Sequence, residues 1–396
     1  MNNQTVVIIG AGVAGLSSAW WLSESGWNVV VIEKATDLRA GGYMLGLSGP
    51  GYSAVEKMGL LEVLQKHQYR YHVENNEYFN SKGKKIFSLN IKKIWGDIKI
   101  LMLSRTDLVN ELYTKTNQQK NIDIRFNCCV THLENNSENI EVYLSDETVI
   151  SANLVIGADG VNSQTRKEIF PLEEKNSREY LNYKVAAFTT KEVSGEIKNF
   201  KSFAEPNRVV ELYPVGKDQS AGLYLWKDNH HSAIDTPQNT REELSNQFSN
   251  SHPLIKKKIV SLEESTPLFF DNLVMINLPK WSKGRVVLIG DSAHCLTLLS
   301  GQGAGIAMVS AYLLAQSIER YGIDQGLTDH EEKLRPVIHR LQERSRKLAT
   351  WFIPTSKWSF NLRNMIVRYM PNALIGWFFL RAIRSDILAA SLNEEN

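Results

Sequence analysis

Near its start the chain reads Val6-Val7-Ile8-Ile9-Gly10-Ala11-Gly12-Val13-Ala14-Gly15. Four apolar β-branched residues predict a buried strand. The glycines predict a tight turn, and the run from Val13 to about Ser25 a helix. A second apolar run, Val29 to Ile32, ends on Glu33. Strand, glycine turn, helix, strand and acid, all within about thirty residues, form the pattern of a dinucleotide-binding unit. Gly10 turns the chain sharply out of the strand. Gly12 has no Cβ, so a pyrophosphate can approach the backbone, and Gly15 lets helix and strand pack closely. The helix start at Val13 and Ala14 offers unpaired N–H groups and a positive dipole end to the phosphates. Glu33 ends the second strand, where its carboxylate can accept from ribose hydroxyls. The motif leaves open whether the nucleotide is NAD or FAD.

The rest of the chain narrows the class. It has 396 residues, 43% hydrophobic and 22% charged, ordinary for a globular protein of two domains or one large one with insertions. A net charge of +2 without a basic tract gives no expectation of a nucleic-acid partner. Three cysteines, two of them adjacent at Cys128 and Cys129, form no disulfide framework, which suits a cytoplasmic location. The N-terminus lacks the basic n-region and cleavage site of a signal peptide. No apolar run is long enough to predict an integral membrane segment, and no spacing of ligands predicts a metal site.

Along the chain, residues 53–66 read as one helix. Glu77 to Asn80 and Lys85 to Leu89 flank a hairpin turn, and a helix opening near Leu103 has Thr106 or Asp107 placed to cap it. An apolar strand from Asn153 runs into Gly157-Ala158-Asp159-Gly160 and a polar helix start at Arg166. Strands follow near 185–190, 208–213 and 222–226, then a polar region with His230 and His231 and a helix near 240–248. Gly284 to His294 returns to α/β character, and Gly301-Gln302-Gly303-Ala304-Gly305 opens a helix to about Arg320. The tail reads as helices over 329–352, 359–370 and 372–388, with Pro336 a kink and Pro354 and Pro371 breaks. The expected class is α/β (α+β overall). A Rossmann-like nucleotide domain spans 1–70, 104–176 and 273–320. A mostly antiparallel substrate-binding β-sheet domain spans 71–103 and 177–272, and a helical region, 321–396, bridges or caps both. The basic, apolar stretch from Arg363 to Arg384 reads as part of that cap, with a membrane surface as the other reading.

Three motifs in one order carry a resemblance: the glycine turn with Glu33, the segment 157–160, and Gly290-Asp291 with Gly301-Gln302-Gly303. Over about the first 320 residues the chain resembles the group A flavoprotein monooxygenases, the p-hydroxybenzoate hydroxylase fold. Through the Arg39-Ala40-Gly41-Gly42 loop and the extra C-terminal helices it is most similar to tetracycline destructases and aromatic polyketide hydroxylases. The resemblance implies FAD as cofactor, NAD(P)H and O2 as co-substrates, and hydroxylation of an aromatic or enolic small molecule through a flavin C4a-hydroperoxide. Tetracycline inactivation is one form of this. Polyketide or other natural-product tailoring, or a non-hydroxylating flavoprotein (reductase or FAD-binding regulatory protein), are the alternatives.

By the same resemblance, Glu33 and Lys34 bind the adenosine ribose end. Arg39 and Gly42 approach the nicotinamide nucleotide or FAD, and Arg105 contacts the flavin nucleotide. Asp159 serves FAD and NAD(P)H, and Asp291 binds the ribityl or pyrophosphate part. Gly301, Gln302, Gly303 and Ala304 line the flavin ring. A helix starting there aims its positive end at the flavin pyrimidine, where reduction puts negative charge. Arg208 is the expected substrate contact. Tyr213, Tyr224 and Trp226 fall on expected strands that face either the pocket or the sheet's other cover. No catalytic side chain is expected, because the chemistry is flavin-borne, and His294 reads as structural. The chain departs from the family where a pair of prolines usually lies between His294 and Gly301. Thr297 and Leu298 stand there. A monomer is expected.

Overall fold

The first strand, Thr5–Ile9, lies inside a six-stranded sheet. Val6, Val7 and Ile8 are fully buried, as a strand covered on both faces requires. The strand order is Ser282–Lys283, Val286–Leu288, Leu154–Gly157, Thr5–Ile9, Asn28–Ile32, Ile122–Arg125. All neighbours are parallel except the first pair. Register pairs Ile9 with Gly157 and Gly157 with Leu288. The three strands therefore end side by side, and the three motifs open at one edge of the sheet. That is where α/β sheets bind ligands. The computed structural model describes every residue except 1–3, 39–40, 42, 69–73, 96–97, 137, 192–196, 216–217, 229–239, 372–373 and 376–396. Arg39, Gly42, His230, His231 and most of the expected helix over 372–388 thus lie outside the described residues.

A seven-stranded sheet forms the second layer, in the order Phe269–Ile276, Arg178–Lys191, Gln219–Lys227, Arg208–Val215, Phe200–Glu205, Asn75–Phe79, Lys85–Asn90. It is antiparallel except where Phe200–Glu205 meets Asn75–Phe79. Both faces are covered. Helices Thr240–Gln247 and Pro253–Val260 lie on the outer face over Phe188, Tyr224 and Trp226. The inner face packs on Met44, Met102, Leu298 and Leu299, and on Ile353 and Phe360 from the C-terminal helices.

Several expectations change. Residues 53–66 form two helices, Pro50–Lys57 and Leu61–Gln68, because Gly59 turns the chain at φ +65°. Ser104, rather than Thr106 or Asp107, caps the helix Arg105–Asn117, its Oγ accepting the Asp107 amide at 2.9 Å. The helix from Gly303 breaks at Gly322, its one non-helical residue at φ 76°, close to the expected end near Arg320; the helix beyond the break starts before residue 329 and runs to Phe352, with no non-helical backbone at Pro336. The strand Phe269–Ile276 stays in the second sheet past residue 273 because Val274 to Ile276 pair with Arg178 to Tyr180. Among the described residues no helix is long and apolar enough to cross a membrane.

Candidate functional site

The opening turn leaves no room for side chains on its packed side. Gly10 sits at φ +107°, and a Cβ there would lie 2.6 Å from the Ala158 carbonyl oxygen. A Cβ on Gly15 would lie 1.9 Å from the Gly10 carbonyl oxygen. A Cβ on Gly12 would meet nothing within 4 Å, because Gly12 faces an open cleft. Gly12 precedes the helix Val13–Glu24 without a side-chain cap, so the first N–H groups of that helix remain available to an anion. Val13, Ala14 and Gly15 are themselves buried and serve through the backbone. Glu33 faces the same turn. Its Oε2 accepts from the Ala11 amide at 2.8 Å and its Oε1 from the Ala35 amide at 2.9 Å. These bonds orient the carboxylate and leave further lone pairs for hydroxyl donors.

The cleft has a cavity volume of about 190 Å³ and is lined by Gly10, Gly12, Glu33, Lys34, Arg105 and Asp159, among others. Cys128, Cys129, Asn162 and Glu168 also line it. Sequence reasoning missed them: the cysteines come from a distant segment, and Asn162 and Glu168 follow Asp159 in its own turn and helix. Asp159 has a second task. It accepts from Ser163 Oγ, the Gln164 amide and the Thr165 amide, which caps the helix Gln164–Ile169. Its carboxylate therefore shapes the wall of the cleft while bound to protein donors.

The second glycine turn is built differently. Gly290, at φ +62°, packs against the opening helix, since a Cβ there would lie 2.9 Å from the Ala14 Cβ. Asp291 follows and is exposed. Its dense surroundings raise its pKa, and the nearby Arg105 guanidinium opposes this. Among the described residues the Arg105 side chain has no hydrogen-bond or ion-pair partner. Thr297 takes φ 68°, ψ 157°, a backbone region that favours glycine and costs about 1–3 kcal/mol for other residues. Its Oγ1 is buried without a hydrogen bond among the described residues. Gly301 is left-handed and precedes Gln302, which leads the helix Gly303–Phe352 without a side-chain cap. Added Cβ atoms at Gly301 or Gly303 would meet nothing within 4 Å. The near contact of Gly51 with Gly305, where an added Cβ would sit 2.7 Å from Cα, fixes this helix end against Pro50–Lys57. Ala304 is half-buried and packs on the main core. His294 is neutral. Burial lowers its pKa to about 3, and its ring packs on Trp281 at 4.8 Å.

Strand alternation sorts the expected substrate residues. Tyr213 lies on the inner face with Phe200, and its hydroxyl accepts the Met44 amide at 3.1 Å. Tyr224 lies on the outer face under Phe248, as does Trp226. Arg208 shares that outer side. It pairs with Glu205 at 2.6 Å, donates to the Gln247 carbonyl at 2.8 Å and lies over the Phe248 ring. Arg208 and Tyr224 are thus engaged on the outer side of the sheet, away from the face that packs on Met44, Met102 and Leu298. The inner face carries a polar group that sequence reasoning missed. Ser202 Oγ lies within hydrogen-bond distance of Glu211 Oε2 at 2.5 Å and of Asn76 Oδ1 at 2.9 Å, with Tyr78 and Arg363 adjacent. Burial raises the Glu211 carboxyl from 4.5 to about 7.

An open cleft with an oriented acid, a guanidinium that has no hydrogen-bond partner among the described residues and an uncapped helix start fits FAD. Comparison with known proteins agrees. The FAD binding domain family matches residues 3–345. A flavin-dependent monooxygenase from an unknown prokaryotic organism is 30% identical over 350 residues, 85% of this chain and 87% of its own. An uncharacterized protein of Mycobacterium tuberculosis, Rv1260, is 28% identical over 360 residues, 86% of this chain and 92% of its own. Two crystal structures share the fold. Tetracycline destructase Tet(51) has a TM-score of 0.79 at 21% identity, covering 95% of this chain and 98% of its own. Klebsiella pneumoniae HpxO complexed with FAD and uric acid has a TM-score of 0.80 at 21% identity, covering 98% and 97%. The chain belongs to the FAD binding domain family and is an FAD-dependent monooxygenase.

Proposed function

We propose that the enzyme draws electrons from NAD(P)H and inserts one oxygen atom of O2 into an aromatic or enolic small molecule. Tetracyclines and other polyketide phenols are the first substrates to test. One observation carries this reading: Leu298 and Leu299, beside the uncapped start of the helix Gly303–Phe352, pack against the inner face of the seven-stranded sheet. A ring held on that face therefore lies next to the flavin end of the site. Glu33 takes the adenosine ribose, the helix start at Val13 the pyrophosphate, and Arg105 and Asp291 the stretch towards the flavin. The helix start at Gly303 stabilises negative charge on the flavin pyrimidine. When bound, FAD supplies electron transfer and oxygen activation.

The protein's own contribution is positioning and desolvation. Met44, Met102, Phe200 and Tyr213 form an apolar wall that excludes water. Glu211, with its carboxyl raised to about 7, accepts a hydrogen bond or a proton from a substrate hydroxyl near neutral pH. Such a proton transfer makes an aromatic or enolic carbon richer in electrons.

The test is NADPH and NADH oxidation by FAD-loaded enzyme with tetracyclines, anthraquinones and simple phenols, followed by mass spectrometry of the products. The expected result is substrate-stimulated oxidation with gain of one oxygen. Oxidation that yields only hydrogen peroxide with every phenol tried overturns the hydroxylase reading for those compounds.

A further inference from the structure

The helix Lys357–Tyr369 is amphipathic with its faces reversed. A globular helix turns its apolar stripe inward. Here Arg363 and Asn364 are buried beside Phe360. Arg363 donates to the Phe352 carbonyl at 2.8 Å and to Asn364 Oδ1 at 2.8 Å. The outward stripe is Trp358, Met365, Ile366 and Tyr369, with Trp358 and Tyr369 each 74% exposed. Of twelve exposed large hydrophobic side chains among the described residues, seven lie between Trp351 and Leu374. Contiguous exposure of this kind marks an interaction surface.

Charge selects the occupant. The whole chain is nearly neutral, at +2, yet from Arg344 to Ser385 all eight charged residues are Lys or Arg. Lys357 and Arg368 flank the apolar stripe and are exposed. A second copy of this surface would bring like charges together. Apolar and aromatic side chains among cations instead match the interface of an anionic bilayer, where Trp and Tyr sit at headgroup level and Lys and Arg meet lipid phosphates. The sequence Trp377-Phe378-Phe379-Leu380-Arg381 continues the same composition.

We infer that this helix and its flanks rest on an anionic lipid surface without crossing it. The helix that faces the lipid also carries Arg363 towards Glu211 and Tyr78, so lipid contact and the substrate sheet share one element.

The experiment is co-sedimentation of full-length, FAD-loaded enzyme with vesicles of phosphatidylcholine containing phosphatidylglycerol, against pure phosphatidylcholine. Binding to the anionic vesicles, weakened by salt, is expected. The exposed pair W358S/Y369S should bind on the order of tenfold more weakly or worse with unchanged FAD content, and K357E/R368E should abolish the preference for phosphatidylglycerol. Protein that stays in solution with both vesicles overturns the inference. So does equal pelleting of W358S/Y369S, or light scattering that shows a dimer which W358S/Y369S converts to monomer. Greater vesicle binding after removal of residues 376–396 assigns the stripe to the chain's own tail and likewise overturns it.

Discussion

The glycine-rich turns at Gly10–Gly15 and at Gly301–Gly303 differ in how closely their glycines are packed. In the first, Gly10 and Gly15 are required by neighbours: backbone atoms stand where a Cβ would go. In the second, space around Gly301 and Gly303 is open. There the strained residue is Thr297, a β-branched side chain at φ 68°. In the proposed reading the first turn is a rigid seat for the part of the cofactor common to all dinucleotides, and the second lies at the flavin ring, where a loop with room and stored strain can adapt to ring and substrate. Rigidity at one end and tolerance at the other is what an enzyme needs to hold its cofactor while varying its substrate.

The largest expected effect is at the first turn. Gly15→Ala forces a Cβ into the Gly10 carbonyl and should cost on the order of 3 kcal/mol, read as a lowered urea midpoint. If its stability equals wild type, the first turn is not rigid. Next, Glu33→Gln keeps the side-chain shape but loses the charge at the ribose and turns an NH2 donor towards one of the two amides, Ala11 or Ala35, that the carboxylate accepts from. FAD should bind about 10- to 100-fold more weakly, corresponding to about 1.5–3 kcal/mol for charged hydrogen bonds, in a calorimetric titration.

The sheet facing the second turn carries a pH dependence. The Glu211 carboxyl titrates near 4.5 when unfolded and about 7 when folded. Between these values the folded state holds the extra proton, so stability falls as pH rises through the window and the loss is complete above about 7. Glu211→Gln should remove about 1–3 kcal/mol of this pH-dependent loss, measured by unfolding on both sides of the window. An unchanged slope contradicts the burial of the carboxyl.

The smallest effects separate strain from contact at the second turn. Thr297→Gly should stabilise the FAD-free protein by about 1 kcal/mol, relief of strain outweighing the added chain entropy of glycine. Gly301→Ala should destabilise by about 1 kcal/mol, the cost of a left-handed alanine with no clash. A loss at Gly301 as large as at Gly15 would erase the distinction between the turns.

What the sequence reveals follows the same division. The first turn, Glu33 and Gly290-Asp291 are legible because their chemistry is local: glycine where a Cβ cannot fit, an acid one residue past a strand. Asp159 is equally local, and its sequence fits a helix cap as well as a ligand. The four-residue step from it to Ser163 brings about the cap that the structure contains. The substrate sheet is harder to read. Both of its faces are covered by apolar layers, so alternation along Arg208–Val215 does not say which face meets the cofactor. Arg208 and Tyr224 fall on the outer one. Glu211 had a readable signal, a lone acid within Val209-Val210-Glu211-Leu212-Tyr213. Its partners Ser202, Asn76 and Arg363 come from distant segments, which no local pattern joins. At the break in the long helix, proline suggested Pro336, yet Gly322 is the residue free to take φ 76°.

The division of labour between the turns is tested most directly by titrating FAD-free protein with ADP, which has the ribose and pyrophosphate but no flavin ring. Glu33→Gln should weaken ADP binding as much as it weakens FAD binding, while Gly301→Ala should bind ADP as the wild type does. Equal loss of ADP binding in both variants, or wild-type ADP affinity in Glu33→Gln, would contradict the account.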